Sequence, residues 1–115
     1  MSRDELWLRI ERGAPLVLVD ALSPMSFAHS HLPGAINLPP ESVDEQAPRR
    51  IPDRTAEVVV YCANESCDSS LETAERLVAL GYTNVRHYQG GKKEWLAGSL
   101  PVERGKANRS PRIGE

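Results

Sequence analysis

Apolar residues fall in short blocks along this chain, and the blocks alternate between two periods. Leu16-Val17-Leu18-Val19 and Val58-Val59-Val60-Tyr61 are continuous apolar runs. They are too short for helices and have no polar positions, the pattern of strands buried on both faces of a parallel sheet. Ala35 to Leu38, closed by Pro39-Pro40, and Asn84 to Tyr88 read as two further strands, and Gly90-Gly91 opens a last helix. The stretches between them carry apolar positions at helical spacing. Ser2 and Glu5 fit a capping box, with Leu6 and Ile10 on one side of a helix that Gly13 and Pro15 stop near Arg12. Ser23 and Pro24 supply the cap and first turn of a short helix through Ala28. Glu41 to Ala47 reads as a weaker helical turn bounded by Pro48 and Pro52. A longer helix is predicted from Asp68 to Leu80, with Leu71, Ala74, Leu77 and Val78 on its apolar face, Glu72 and Arg76 paired four apart, and Gly81 as the stop. The last helix spans Lys92 to Ala97, with Trp95 and Leu96 facing inward.

Strands that alternate with helices pair in parallel through right-handed crossovers. The expected fold is therefore α/β, with a central parallel sheet of four or five strands flanked by helices on both faces. A chain of 115 residues is one domain of ordinary size, with no need of disulfides or metal to hold its core. Its body is expected to be residues 1–103. Residues 104–115 carry Arg104, Lys106, Arg109 and Arg112 against Glu115 and almost no apolar side chains, so they read as a basic, disordered tail.

Composition narrows the function class. A hydrophobic fraction of 40% and a charged fraction of 26% are those of a soluble globular protein. There is no apolar run near the roughly 20 residues of a membrane span, and Met1-Ser2-Arg3-Asp4-Glu5 lacks a signal-peptide core, so a cytoplasmic location is expected. The net charge is −2, and with the basic tail set aside the body is more acidic still. Neither nucleic acid nor membrane is expected as a partner. Two cysteines in a reducing compartment point to chemistry rather than to structure.

That chemistry is placed by one junction. The strand ending at Tyr61 runs straight into Cys62, a polar loop of Ala63, Asn64, Glu65, Ser66, Cys67, Asp68 and Ser69 follows, and a helix begins. Cys62 then sits where the C-terminal ends of strands face helix N-termini, which is where open α/β sheets bind ligands. Backbone N–H groups and a helix dipole there favour thiolate over thiol. Cys62 is accordingly the candidate nucleophile, since an inert strand-end cysteine would not account for its place at the head of a polar loop.

Four segments in order resemble the rhodanese-like domain: Leu16-Val17-Leu18-Val19-Asp20; His31-Leu32-Pro33-Gly34-Ala35-Ile36-Asn37-Leu38-Pro39; Val58 to Cys62; and Tyr88-Gln89-Gly90-Gly91-Lys92-Lys93-Glu94-Trp95 with Leu100-Pro101-Val102. The resemblance implies a sulfurtransferase in which Cys62 becomes a persulfide and passes its outer sulfur to a thiophilic acceptor. A persulfide is an anion that inward-facing N–H groups can hold, so no cofactor or metal is called for. Asp20 is carried over as a structural partner of nearby loops and His31 as a hydrogen-bonder that fixes a loop.

The loop also departs from that family. Its commonest form is Cys-Arg-x-Gly-x-Arg, whereas here Ala63, Glu65 and Cys67 stand at the arginine, glycine and arginine positions. Counted back from Gly81, the loop is about two residues longer than usual. Residues 62–70 hold Glu65 and Asp68 and no Lys or Arg, so thiosulfate, phosphate or arsenate should bind poorly and a persulfide is the preferred donor. Lys92, Lys93 and Arg86 are the cations that could reach the loop. Cys67 has two readings: a resolving thiol, as in rhodanese-like domains with a Cys-x4-Cys loop, or a small residue capping the next helix. Bridging it to Cys62 requires Cα atoms within about 7 Å.

Three rival classes are weaker or different in kind. Cysteine phosphatases and arsenate reductases use a Cys-x5-Arg loop, and the sixth position after Cys62 here is Asp68, which repels their substrates. Zinc on Cys62, Cys67 and two of His29, His31 and His87 is a poor match to closed sites. A catalytically weak sensor or docking module with a Cys62/Cys67 thiol-disulfide switch is the rival from another class. The sequence leaves the oligomeric state, the donor and the acceptor open.

Overall fold

The continuous apolar runs become the middle of a sheet. The computed structural model describes residues 1–105 and contains strands β1 (Val17–Asp20), β2 (Ile36–Asn37), β3 (Val58–Tyr61) and β4 (Val85–Tyr88). Its helices are α1 (Arg3–Glu11), α2 (Pro24–His29), α3 (Val43–Arg50), α4 (Ser69–Ala79) and α5 (Gly91–Ala97). All strand pairs are parallel, in the order β2-β1-β3-β4. Asp20 lies level with Asn37 on one side and Tyr61 on the other, and Tyr61 lies level with Tyr88. The chain leaves β1 in one direction to form β2 and returns to form β3 on the opposite side. The C-terminal ends of β1 and β3 therefore flank the switch point of the sheet.

Alternation along the strands divides the core in two. Val19, Val58 and Val60 pack with Val43, Ala47, Ile51, Leu77 and Tyr82, which places α3 and α4 on one face. Leu18, Val59, Tyr61 and Tyr88 pack with Leu6, Phe27, Leu32 and Trp95, which places α1, α2 and α5 on the other. Several local expectations hold. Ser2 Oγ accepts from the Glu5 N–H, Ser23 Oγ accepts from the Ser26 N–H, Arg76 lies 3.6 Å from Glu72, and Gly81 takes φ +100°.

Other expectations are corrected. The weak turn at Glu41 to Ala47 is instead a 3-10 turn, Pro40–Ser42, leading into α3, which runs through Pro48. Val43, Ala47 and Ile51 recur four apart and are fully or nearly buried, and Tyr82 Oη lies 3.0 Å from the Ala47 carbonyl and 2.5 Å from that of Ile51. Burial worth about 1.5–3 kcal/mol for each larger side chain outweighs the roughly 3 kcal/mol penalty of an interior proline. The inward face of α4 is Ser70, Thr73 and Leu77, while Leu71 and Val78 are 49% and 58% exposed. Polar bonds set that rotation: Thr73 Oγ1 donates to the Leu38 carbonyl and Ser70 Oγ meets His87. Leu96 faces outward as well, since Trp95 takes the inward position of α5. β2 spans two residues rather than the four expected. The expectation of a disordered tail falls mostly on residues 106–115, which lie outside the described residues. Among the described residues, no helix is long and apolar enough to cross a membrane.

Candidate active site at the C-terminal end of the sheet

Cys62 directly follows β3 and is 1% exposed. Its carbonyl accepts from the Lys92 N–H at 2.9 Å, and the Ala63 carbonyl accepts from the Lys93 N–H at 2.8 Å. First-turn N–H groups of a helix lack intrahelical partners, and α5 spends its own on this loop. Such closeness requires Gly91: at φ +67°, a Cβ there would lie 2.6 Å from the Cys62 oxygen and 3.0 Å from the Asn64 nitrogen. In a planar trans peptide the N–H points opposite to the C=O. The N–H groups of Ala63 and Asn64 are thereby turned away from α5.

The loop then folds back. Asn64 Oδ1 accepts from the Ser66 N–H at 2.9 Å and its carbonyl accepts from the Cys67 N–H at 3.1 Å. This Asx turn returns Cys67 to a Cα separation of 6.2 Å from Cys62, and the two are joined as a disulfide. Asp68 precedes α4 without a side-chain capping bond. Among the described residues, no carboxylate is bonded to the first-turn N–H groups of α4.

Beneath the loop lies a buried polar cluster. Asp20 is fully buried; its Oδ1 accepts from the Leu22 N–H at 2.8 Å and its Oδ2 from the Tyr61 hydroxyl at 2.7 Å. Burial pushes the Asp20 carboxyl up, opposed by these bonds and by Lys92. The Tyr61 oxygen in turn accepts from the Leu32 N–H, and burial beside Asp20 pushes its phenol well above the usual range. Asn37 Nδ2 donates to the carbonyls of Asp20 and Leu22. Asp20 therefore ties together the chain ends of β1, β2 and β3.

His31 is held by α2 and by the C-terminal segment. Its Nδ1 lies 2.7 Å from the Phe27 carbonyl, which can only accept, so Nδ1 carries the proton; its ring stacks on Phe27 at 3.7 Å and its backbone pairs with Glu103. Of the three cations, Arg86 does not reach the loop: it shares Glu57 with Arg9 at the start of β3. Lys92 Nζ donates to the carbonyls of Ser26 and Ser30, and burial lowers its pKa while Asp20 raises it. Lys93 does line a cleft of about 350 Å³ beside the loop. A larger cavity, about 640 Å³, lies beyond β2 between α2 and α3, contains no loop residue, and is not where the thiols are.

The structure thus brings together Cys62, Cys67 and the loop residues Ala63 to Ser69, with Asp20 bonded to Tyr61, the residue before Cys62; His31 is bonded to Phe27 and Glu103. Sequence reasoning did not single out Tyr61, Gly91, Glu94 or the Ser70/His87 pair. The register of two apolar strands ending in Asp20 and Tyr61 was a usable signal for the first of these. No local pattern marks the Ser70 and His87 contact, which joins a helix to a strand 17 residues later.

The sequence model of the rhodanese-like domain matches residues 2–98. This chain belongs to that family. It is 32% identical over 103 residues to the thiosulfate sulfurtransferase GlpE of Haemophilus influenzae, covering 90% of this chain and 92% of that one. It is also 30% identical over 105 residues to an HTH-type transcriptional regulator of Mycobacterium tuberculosis, covering 91% of this chain but only 45% of the regulator. Among solved structures, a human single-domain sulfurtransferase matches with a TM-score of 0.72 at 27% identity, covering 84% of this chain and 94% of that one. The rhodanese-like fold expected from the sequence, with its parallel sheet between helical layers, is borne out, with four strands.

Proposed function

We propose that this rhodanese-like domain is a sulfurtransferase that holds sulfane sulfur on Cys62 as a persulfide and passes it to a thiol or other thiophilic acceptor. The observation that carries the reading is the seat of Cys62: a strand-end thiol at the switch point, below an uncapped helix start, with the N–H groups of Ala63 and Asn64 turned away from α5. The names of its sulfurtransferase relatives support the reaction class. In the loading step the Cys62 thiolate attacks the outer sulfur of a donor R–S–SH. The donor's S–S bond breaks with its electron pair on R–S⁻, and Cys62–S–SH remains. Transfer to an acceptor thiolate repeats the exchange in the other direction.

Glu65 and Asp68 make the loop anionic, so a persulfide of low charge is the favoured donor and the thiosulfate dianion a poor one. Cys67 fits the role of resolving thiol: its thiolate attacks the inner sulfur of Cys62–S–SH, HS⁻ leaves, and the Cys62–Cys67 disulfide forms, to be reopened by a dithiol. The partners called for are a small-molecule or protein persulfide donor and a thiol acceptor, and a cytoplasmic setting would keep both cysteines reduced.

The test is intact mass of the reduced protein after exposure to a persulfide donor or to thiosulfate. Expected in the Cys67→Ser variant is one added sulfur, removed by reductant, absent when Cys62 is also replaced by Ser and slow to appear from thiosulfate, whereas the parent should go on to release HS⁻ and end two hydrogens lighter. Substituting Glu65→Gln and Asp68→Asn should speed thiosulfate loading. A second reading, a docking or sensor module switched by the Cys62–Cys67 pair, is favoured by the disulfide itself. It takes over if no donor loads Cys62 while the disulfide still opens and closes with a dithiol couple.

A further inference from the structure

The two sides of the loop disulfide differ in what can reach them. Cys62 is 1% exposed and follows a fully buried strand, whereas Cys67 is partly exposed in a run whose neighbours Glu65, Ser66 and Asp68 are all exposed. The backbone holds this difference in place. The Cys62 carbonyl is bonded to α5, while Cys67 is carried by the Asx turn that Asn64 begins. A disulfide opens when a thiolate attacks one sulfur and the other leaves, so access selects the sulfur attacked. Cys67 is the one an external thiol can reach.

The leaving group agrees with access. Attack on Cys67 puts the electron pair on Cys62, at the strand end below the start of α4, whose first turn has no side-chain cap. Attack on Cys62 would put it on Cys67, next to Asp68 and two residues from Glu65. A thiolate is favoured by N–H groups and a helix dipole and disfavoured beside like charge. We propose that Cys67 is the entry point of the reductant and the residue that carries a mixed disulfide, and that the reductant is a thiol without net negative charge. The thiolate R–S⁻ attacks the Cys67 Sγ, the Cys62–Cys67 bond breaks with its electron pair on Cys62, and Cys67–S–S–R forms. The second thiolate of a dithiol, or another monothiol, then attacks the R sulfur and Cys67 leaves as its thiolate. The reductant is oxidised by two electrons and its two protons end on the cysteines. The charge class follows from the approach. Glu65 and Asp68 are exposed on either side of Cys67, and across the cleft that Glu65 lines, Lys93 and Glu94 supply one charge of each sign. An incoming thiol therefore meets net negative charge. The assignment rests on the Cys62–Cys67 pairing and stands whether the loop transfers sulfur or acts as a switch.

The test opens the oxidised protein with an excess of cysteamine, mercaptoethanol or mercaptoacetate. Acid quench halts exchange, and fragment-ion mapping of a peptic digest locates the adduct, which should sit on Cys67 with Cys62 a free thiol. Opening rates are taken per thiolate, each divided by the rate of the same thiol on the symmetric disulfide of mercaptoethanol. They should fall by about tenfold from cysteamine to mercaptoacetate at low salt and converge at about 1 M salt. Glu65→Gln together with Asp68→Asn should remove the order. An adduct on Cys62, equal adducts on both, or a disulfide that none of the thiols opens overturns the entry point. Equal corrected rates at low salt overturn the charge class. Persulfide loading of the reduced protein is a separate reaction, so neither result bears on the sulfurtransferase reading.

Discussion

Replacing Gly91 by alanine should separate two costs that glycine avoids. The first is conformational, since φ is +67°, and a Cβ in that region is unfavourable by about 1 kcal/mol once the stiffer unfolded chain is credited. The second is steric, because the added carbon would lie 2.6 Å from the Cys62 oxygen and 3.0 Å from both the Ala63 carbonyl carbon and the Asn64 nitrogen. All three are backbone atoms of the loop and none can rotate aside. Moving that backbone adds about 2 kcal/mol, so the expected total is about 3 kcal/mol. At about 4 °C per kcal/mol for a domain of this size, the melting temperature should fall by about 12 °C. Gly13→Ala is the control, with φ +70° and nothing within 4 Å of the added carbon. It should lose only the conformational part. Urea titrations of the two reduced variants give the difference, and iodoacetamide rates on Cys62 report whether the loop has moved. Equal losses at the two glycines would refute the claim that α5 and the loop are in obligatory contact.

Three further outcomes follow from the same geometry. Tyr61→Phe strands Asp20 Oδ2 and the Leu32 N–H, both at buried residues, and should destabilise by about 3 kcal/mol in urea titration. Burial holds His87 below its ordinary value of 6.5, so the unfolded chain takes up the proton first and stability falls as pH drops through that value towards the folded one; His87→Gln should flatten this slope. Cys67→Ser should let a persulfide on Cys62 persist in intact-mass spectra, whereas a Cys67 with no resolving role would leave the lifetime at that of the parent.

The fold was legible because its strands differ in kind from its helices. Val58 to Tyr61 and Leu16 to Val19 have no polar face, and only the middle of a parallel sheet satisfies that. The cysteine at the end of the first of these runs followed from the strand's end point. Less was legible where polar groups are buried. The rotation of α4 could not be read from Leu71 and Val78, because what fixes it is Thr73 on the Leu38 carbonyl and Ser70 on His87. Hydropathy scores those inward positions as outward. The continuation of α3 through Pro48 is of the same type, since its anchors in Tyr82 lie 31 and 35 residues away. In the site, the destination of each cation was hidden as well: Arg86 and Lys92 are drawn to Glu57 and to the end of α2, and only Lys93 faces the loop's side.

The missing arginines bear differently on the two states of the proposed cycle. A charge-assisted contact is worth about 1.5–3 kcal/mol, so a loop without them forfeits its hold on any donor that presents two charges. The loaded state carries a single charge on an outer sulfur attached to Cys62. Its entropy of localisation is already spent by the covalent bond, and backbone N–H groups suffice to hold it. The loss therefore falls on donor capture and leaves the intermediate largely intact. A domain built in this way would gain selectivity by recognising the organic part of its donor. The backbone of α5 is bonded to the carbonyls of Cys62 and Ala63, so it fixes the carbonyl side of the loop, and the N–H groups that would hold the loaded sulfur face the other way.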